Sequence, residues 1–214
     1  MKQVLSTILL LWLTSNLSAQ PEMRRVELSN YVFPDFVEGT VKQKSGEINK
    51  ALLNYNSLTE EMIFDQAGQK LALDKTGNID TVYILNRKFI PFGNIFYEVA
   101  TNTPTALMIQ HKTEVIPPGS NTGFGTSQTA AISNITDLKR AGSAYKLKLP
   151  DEYQLAPKTA FWLKRNNNYY AIKREKDFED LFSDKADEIK KYVKANKIKF
   201  NNMNDLIKVT LYSN

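Results

Sequence analysis

His111, in the segment "ALMIQHKTEV", is the one imidazole in a chain of 214 residues that also lacks cysteine. Those counts exclude disulfides, thiolate metal sites, thiol nucleophiles and any site needing two imidazoles from one chain. Counting in twos places Leu107, Ile109, His111, Thr113 and Val115 on one strand face, with the imidazole at or beside the core. Triad catalysis would require a carboxylate and a serine exposed at a sharp turn to converge on that ring. The sequence contains no G-x-S-x-G, and Ser120, Ser127 and Ser133 are near His111 in sequence, but nothing in the sequence fixes their distance from the ring. The residues therefore read as a hydrogen-bonded structural histidine rather than a general base.

Carboxylates offer a second route to hydrolysis, because glycosidases set two of them about 5 Å or about 6.5–9.5 Å apart across a cleft. "TEEMIFD" supplies Glu60, Glu61 and Asp65, and "FYEV" supplies Glu98. Glu61, Ile63 and Asp65 share a strand face, which reads as a wet surface rather than a catalytic pair. Glu98, between Tyr97 and Val99, is left open at this level.

The stretch "PPGSNTGFGTSQTAAISN", Pro117 to Asn134, is rich in glycine and hydroxyls, but no lysine follows its last glycine as a phosphate-binding Walker loop requires. Gln128 stands where the third glycine of a dinucleotide fingerprint belongs. It reads as a long connector, with the alternative of a lid. The hairpin "FWLKRNNNYYAIK" is the remaining candidate. Trp162, Tyr169 and Tyr170 can stack on sugars or bases, and Lys164 and Arg165 can pair with anionic groups. Cross-strand packing is the competing use of the same rings. These five residues are the expected binding patch; no catalytic residue, metal ligand or cofactor is assigned.

The elements that must carry these groups are mainly strands. From about Val37 to Arg174 the dominant period is two: Val37, Gly39 and Val41 face one way in "VEGTVKQK", and Ala51, Leu53 and Tyr55 alternate in "KALLNY". Leu71 and Leu73 alternate in "KLALD", and Tyr145, Leu147 and Leu149 in "YKLKL". Gly46, Gly68 and Gly77-Asn78 fall where turns are needed, and Asn167 or Asn168 suits the left-handed residue of a hairpin. Half-buried alternation favours antiparallel pairing over a buried parallel sheet. Nine or ten strand candidates predict an antiparallel sandwich, roll or partly closed barrel over 20–174.

After Arg174 the period changes. Ala186, Ile189 and Val193 recur at helical spacing, Ser183 or Asp184 is placed to cap, and acids precede lysines along the segment. Ile207 and Leu211 share the face of a last short helix. The fold class is therefore α+β, mainly β, with a C-terminal helical hairpin over 175–214 packed on the sheet.

Residues 1–19 read as a secretory signal peptide: Lys2, an apolar run from Val4 to Leu13, and small Ala19 before Gln20. About ten apolar residues are too few for a bilayer span, which needs about twenty. No cysteine follows, so a lipid anchor on an N-terminal cysteine is excluded. The mature chain is expected to be periplasmic or extracellular, with no transmembrane segment. Without Lys2 the 28 basic residues become 27 against 23 acidic ones. That excess is spread along the chain, so no nucleic-acid partner is expected.

The span "FPDFVEGTVKQKSGEINKALLNYNSLTEEMIF", followed by "IDTVYILNRKFIPFGNIFYEV", resembles exported β-rich proteins of uncharacterised function typical of Bacteroidota. The resemblance implies export and a strand–turn–strand opening to the domain, and it carries no functional residue. The sequence thus leads to an exported, non-catalytic β-rich protein that binds or scaffolds an envelope protein or glycan. The alternative is a hydrolase of envelope glycan or peptide, dependent on carboxylates or His111.

Overall fold

The computed structural model describes residues 30–116 and 154–214, together with the backbone of two short strands at 120–122 and 125–127. In chain order the strands are β1 (Val37–Gln43), β2 (Ile48–Asn56), β3 (Glu61–Gln66), β4 (Gln69–Ala72), β5 (Ile79–Ile84), β6 (Arg87–Phe92) and β7 (Ile95–Val99). They continue as β8 (Ala106–Gln110), β9 (Thr113–Ile116), β10 (Ser120–Thr122), β11 (Gly125–Ser127), β12 (Gln154–Pro157), β13 (Ala160–Arg165) and β14 (Asn168–Ile172). Three helices follow: α1 (Glu175–Leu181), α2 (Ala186–Asn196) and α3 (Met203–Ser213).

Ten strands form one antiparallel sheet in the order β14-β13-β8-β7-β6-β5-β1-β2-β3-β4, while β9 pairs with β12 and β10 with β11. The fold is thus mainly β, with an open sheet and a helical tail. Hairpin turns make neighbours of successive strands. The Asn166–Asn167 turn has both residues at positive φ (50° and 64°), and Arg165 pairs directly with Asn168 across it. The sequence pointed to Asn167 or Asn168. The left-handed pair lies one residue earlier, because a two-residue loop needs both of its residues there to match the strand twist.

One sheet face carries the core, in two parts. Leu53, Tyr55, Val82, Ile84, Phe89 and Phe96 belong to one apolar cluster, over which the β1–β4 half curls. Leu107, Ile109, Phe161, Leu163 and Ile172 belong to the second, which the helices cover with Phe178, Ile189, Leu206 and Val209. The expected phases hold in β1 and β2, where Val41, Leu53 and Tyr55 are buried and Lys42 and Lys50 alternate with them outside, whereas Leu71, on edge strand β4, is exposed. The chain before β1 is clamped by Asn54. Its amide donates to the carbonyls of Phe33 (2.8 Å) and Asp35 (3.0 Å), and its Oδ1 accepts from Phe33 N–H.

Two expectations are corrected. The tail holds three helices rather than a hairpin, because "EKDFEDL" forms a short helix of its own, with Asp177 accepting from the N–H groups of Lys173 and Arg174. The helix bearing Ile189 and Val193 begins at Ala186 after a 3₁₀ turn over Ser183–Lys185, with no side-chain cap. Within Pro117 to Asn134 the segments β10 and β11 pair, so the stretch holds some strand structure as well as connector. Its other residues and "YKLKL" lie outside the described part of the chain. Among the described residues no helix is long and apolar enough to cross a membrane.

Candidate functional site

Two polar assemblies stand out, one on each face of the sheet. The first lies on the core face, at the seam between the two apolar clusters. Arg87 begins β6, Glu98 lies opposite Phe89 and Ile109 in the ladder, and His111 directly follows β8. Arg87 Nε donates to Glu98 Oε1 at 2.7 Å, and Nη2 donates to Oε2. His111 Nε2 lies 2.6 Å from Glu98 Oε2 and 2.9 Å from Arg87 Nη2. A protonated Nε2 donates to the carboxylate and an unprotonated one accepts from the guanidinium. In either state Arg87 holds Glu98 in a bidentate pair.

The rings of Phe33 and Phe89 flank the guanidinium at 4.8 and 5.5 Å, and Tyr55 meets the imidazole edge-on. Burial alone would raise the Glu98 carboxyl. Hydrogen bonds from His111 and Arg87, with the charges of both, outweigh it and lower the pKa to about 2. A carboxyl held that low is ionised at neutral pH, so it cannot serve as the protonated general acid of a glycosidase. The assembly ties β6, β7 and the end of β8 together where apolar packing changes from one cluster to the other.

The second assembly lies on the opposite face. Phe92 (β6), Tyr97 (β7) and Trp162 (β13) form a row of nearly parallel rings, with centroids 4.9 Å and 6.0 Å apart. Tyr169 (β14) closes on that row, 4.6 Å from Phe92 and 5.8 Å from Tyr97. Four strand intervals separate β6 from β14. In a flat sheet that would be about 19 Å. The ring contact therefore requires the sheet to coil over this face. Tyr97 is only 3% exposed beneath the bar, while Phe92 is 42% exposed.

Beside the bar opens a cavity of about 970 Å³. Val99, Ala106 and Met108 contribute to its lining, as do Lys42, Lys44, Lys88 and Lys164. Asp80 is the one acid on the lining among the described residues, and it pairs with Lys42 at 3.4 Å with both side chains about half exposed. Lys44 and Lys88 make no ion pair among the described residues, and Lys164 lies over the Tyr169 ring.

Strand alternation splits the five residues expected from the sequence. Lys164 and Tyr169 are ladder partners and line the cavity. Trp162 points to the same side but is a fixed support: its Nε1 donates to Gln110 Oε1 at 3.2 Å, and Gln110 in turn donates to Glu60 at 2.6 Å. Arg165 and Tyr170 take the opposite phase. Arg165 donates to the Leu181 carbonyl at 2.7 Å and sits over the Phe182 ring, tethering the helical tail. Tyr170 is exposed on that side, away from the cavity.

Sequence reading missed Phe92, Tyr97, Lys88 and Lys42 as site residues. Their spacing from the hairpin is set by strand order, and the available signal was a lysine or aromatic at some solvent-phase positions: Lys42 in β1, Lys88 and Phe92 in β6, and Tyr97 in β7. Glu61 and Asp65 flank buried Ile63, and Asp65 pairs with Lys70. Among the described residues no three His, Asp or Glu side chains converge as a metal site. The fold and site together define a coiled, open antiparallel sheet with a lysine-lined hollow on one face. No family model, curated protein or solved structure matches the chain.

Proposed function

We propose that the chain is an exported, non-catalytic binding protein of the cell envelope, and that its ligand seats in the hollow beside the Phe92–Tyr169 bar. The observation that carries this reading is the bar itself. Exposed Phe92 and half-buried Tyr169 are held against buried Tyr97 on the strands of a sheet, and Lys44 and Lys88, which make no ion pair among the described residues, line the same space. A concave site with apolar floor groups and a few polar groups around it is the common form of a ligand site. Export rests on the leader-like residues 1–19, which lie outside the described part of the chain.

The hydrolase alternative is opposed by the same geometry. Two of the residues it could use, Glu98 and His111, are bonded to Arg87 and to each other on the other face of the sheet. Incubating the chain with insoluble envelope polysaccharide tests both readings at once. Retention on the polymer without release of reducing ends is expected, and retention should fall in Tyr169→Ala. Release of reducing ends that disappears in Glu98→Gln would overturn the proposal.

A further inference from the structure

We infer that the hollow takes an acidic glycan, a polymer of sugars bearing carboxylate or sulfate groups, lying across the strands. The inference rests on the binding reading above and adds the class of ligand. Three features of the lining carry it. The first is charge: among the described residues four lysines line the hollow against one acid, Asp80, which pairs with Lys42, and the net excess leaves a positive field inside a concave surface where it is focused.

The second is spacing. Lys42, Lys88 and Lys164 stand on β1, β6 and β13. Lys88 is two strand intervals from Lys42 and three from Lys164. In a flat sheet that would be about 10 Å and about 14 Å, and the coiling over this face draws the groups on β6 and β13 closer. The ammonium groups therefore stand in a row across the strands, the direction along which a polymer bearing several anions meets more than one of them. Lysine suits this task because its long stem and three rotatable donors tolerate variation in where the anion sits.

The third is the character of the remaining lining. Phe92 and Tyr169 offer ring surface to the apolar faces of sugars, and Asn102, Asn166 and Asn167 offer amides to sugar hydroxyls. An acidic peptide would meet the lysines equally well, and polyglutamate is therefore the competing ligand in the test below.

The experiment is equilibrium binding of the full chain to polygalacturonate and to its fully methyl-esterified form, at low and moderate salt. Tight binding to the acid form alone is expected, weakening as salt screens the pairs. Lys88→Gln with Lys164→Gln should weaken it about five- to tenfold without changing the melting temperature. Equal binding of the esterified polymer would overturn the charge inference and leave the binding reading standing. Tighter binding of polyglutamate or single-stranded DNA would overturn the glycan class. Binding to none of these, with polymer retention also lost, would remove both.

Discussion

Phe92 and Tyr169 touch across four strand intervals, with ring centroids 4.6 Å apart. That contact closes one side of the lysine-lined hollow and covers Tyr97. Because the pair joins strands that are distant in the sheet, it should stabilise the coil as well as form a wall. Tyr169→Ala is expected to cost about 1–3 kcal/mol and to open Tyr97 to solvent. Denaturant unfolding gives the first quantity, and the rate of Tyr97 nitration the second. Phe92→Ala should produce the same opening.

Glu98 makes folding depend on acid. Its folded pKa, about 2, is depressed below the ordinary value of 4.5. A depressed carboxylate contributes stability that is fully present above its unfolded pKa and is lost as pH falls through the folded one. Thermal unfolding between pH 5 and pH 2 should therefore show a progressive loss, on the order of 3 kcal/mol, attributable to this group. Glu98→Gln should flatten that part of the profile. At neutral pH the same variant should cost about 2–4 kcal/mol, since Arg87 would be left without its counter-charge against two aromatic rings.

Gly39 is fixed by space rather than by backbone angle. A Cβ there would lie 2.7 Å from the Tyr83 carbonyl oxygen and 2.8 Å from Leu53 Cδ1. The carbonyl belongs to the neighbouring strand and cannot move without disturbing the ladder. Gly39→Ala should cost about 1–3 kcal/mol, read as a lower denaturant midpoint with an unchanged slope.

Asn54 offers a contrasting test in a polar setting. Its side chain is 1% exposed and bonds the backbone of Phe33, Asp35 and Tyr55. Asn54→Leu removes those partners and leaves buried backbone groups unmatched, a loss of about 2–4 kcal/mol. Proteolysis should then begin in the segment preceding β1.

The alternation within each strand was legible because it is local. Val37, Gly39 and Val41 declare their face with no knowledge of their neighbours, as do Leu53 and Tyr55. The left-handed turn of the last hairpin was legible to within one residue for the same reason. Meeting of distant groups was not. Glu98 and His111 are brought together by the pairing of β7 with β8, and Phe92 and Tyr169 by coiling of the sheet, and neither event has a local code. One signal was present: Arg87, Glu98 and His111 all take the apolar phase of their strands, alongside Phe89, Phe96 and Ile109. Charged or ionisable groups in the buried phase of three successive strands imply that they pair with one another. The split of the aromatic hairpin also followed from alternation, since Lys164 and Arg165 cannot share a face.

Mapping polygalacturonate onto backbone amides by heteronuclear NMR tests the site most directly. The account predicts saturable shifts at Lys88, Val99, Met108, Lys164 and Tyr169, with the amides around Glu98 and His111 unmoved. Shifts confined to the helical tail, or to the Arg87–Glu98–His111 seam, would contradict it.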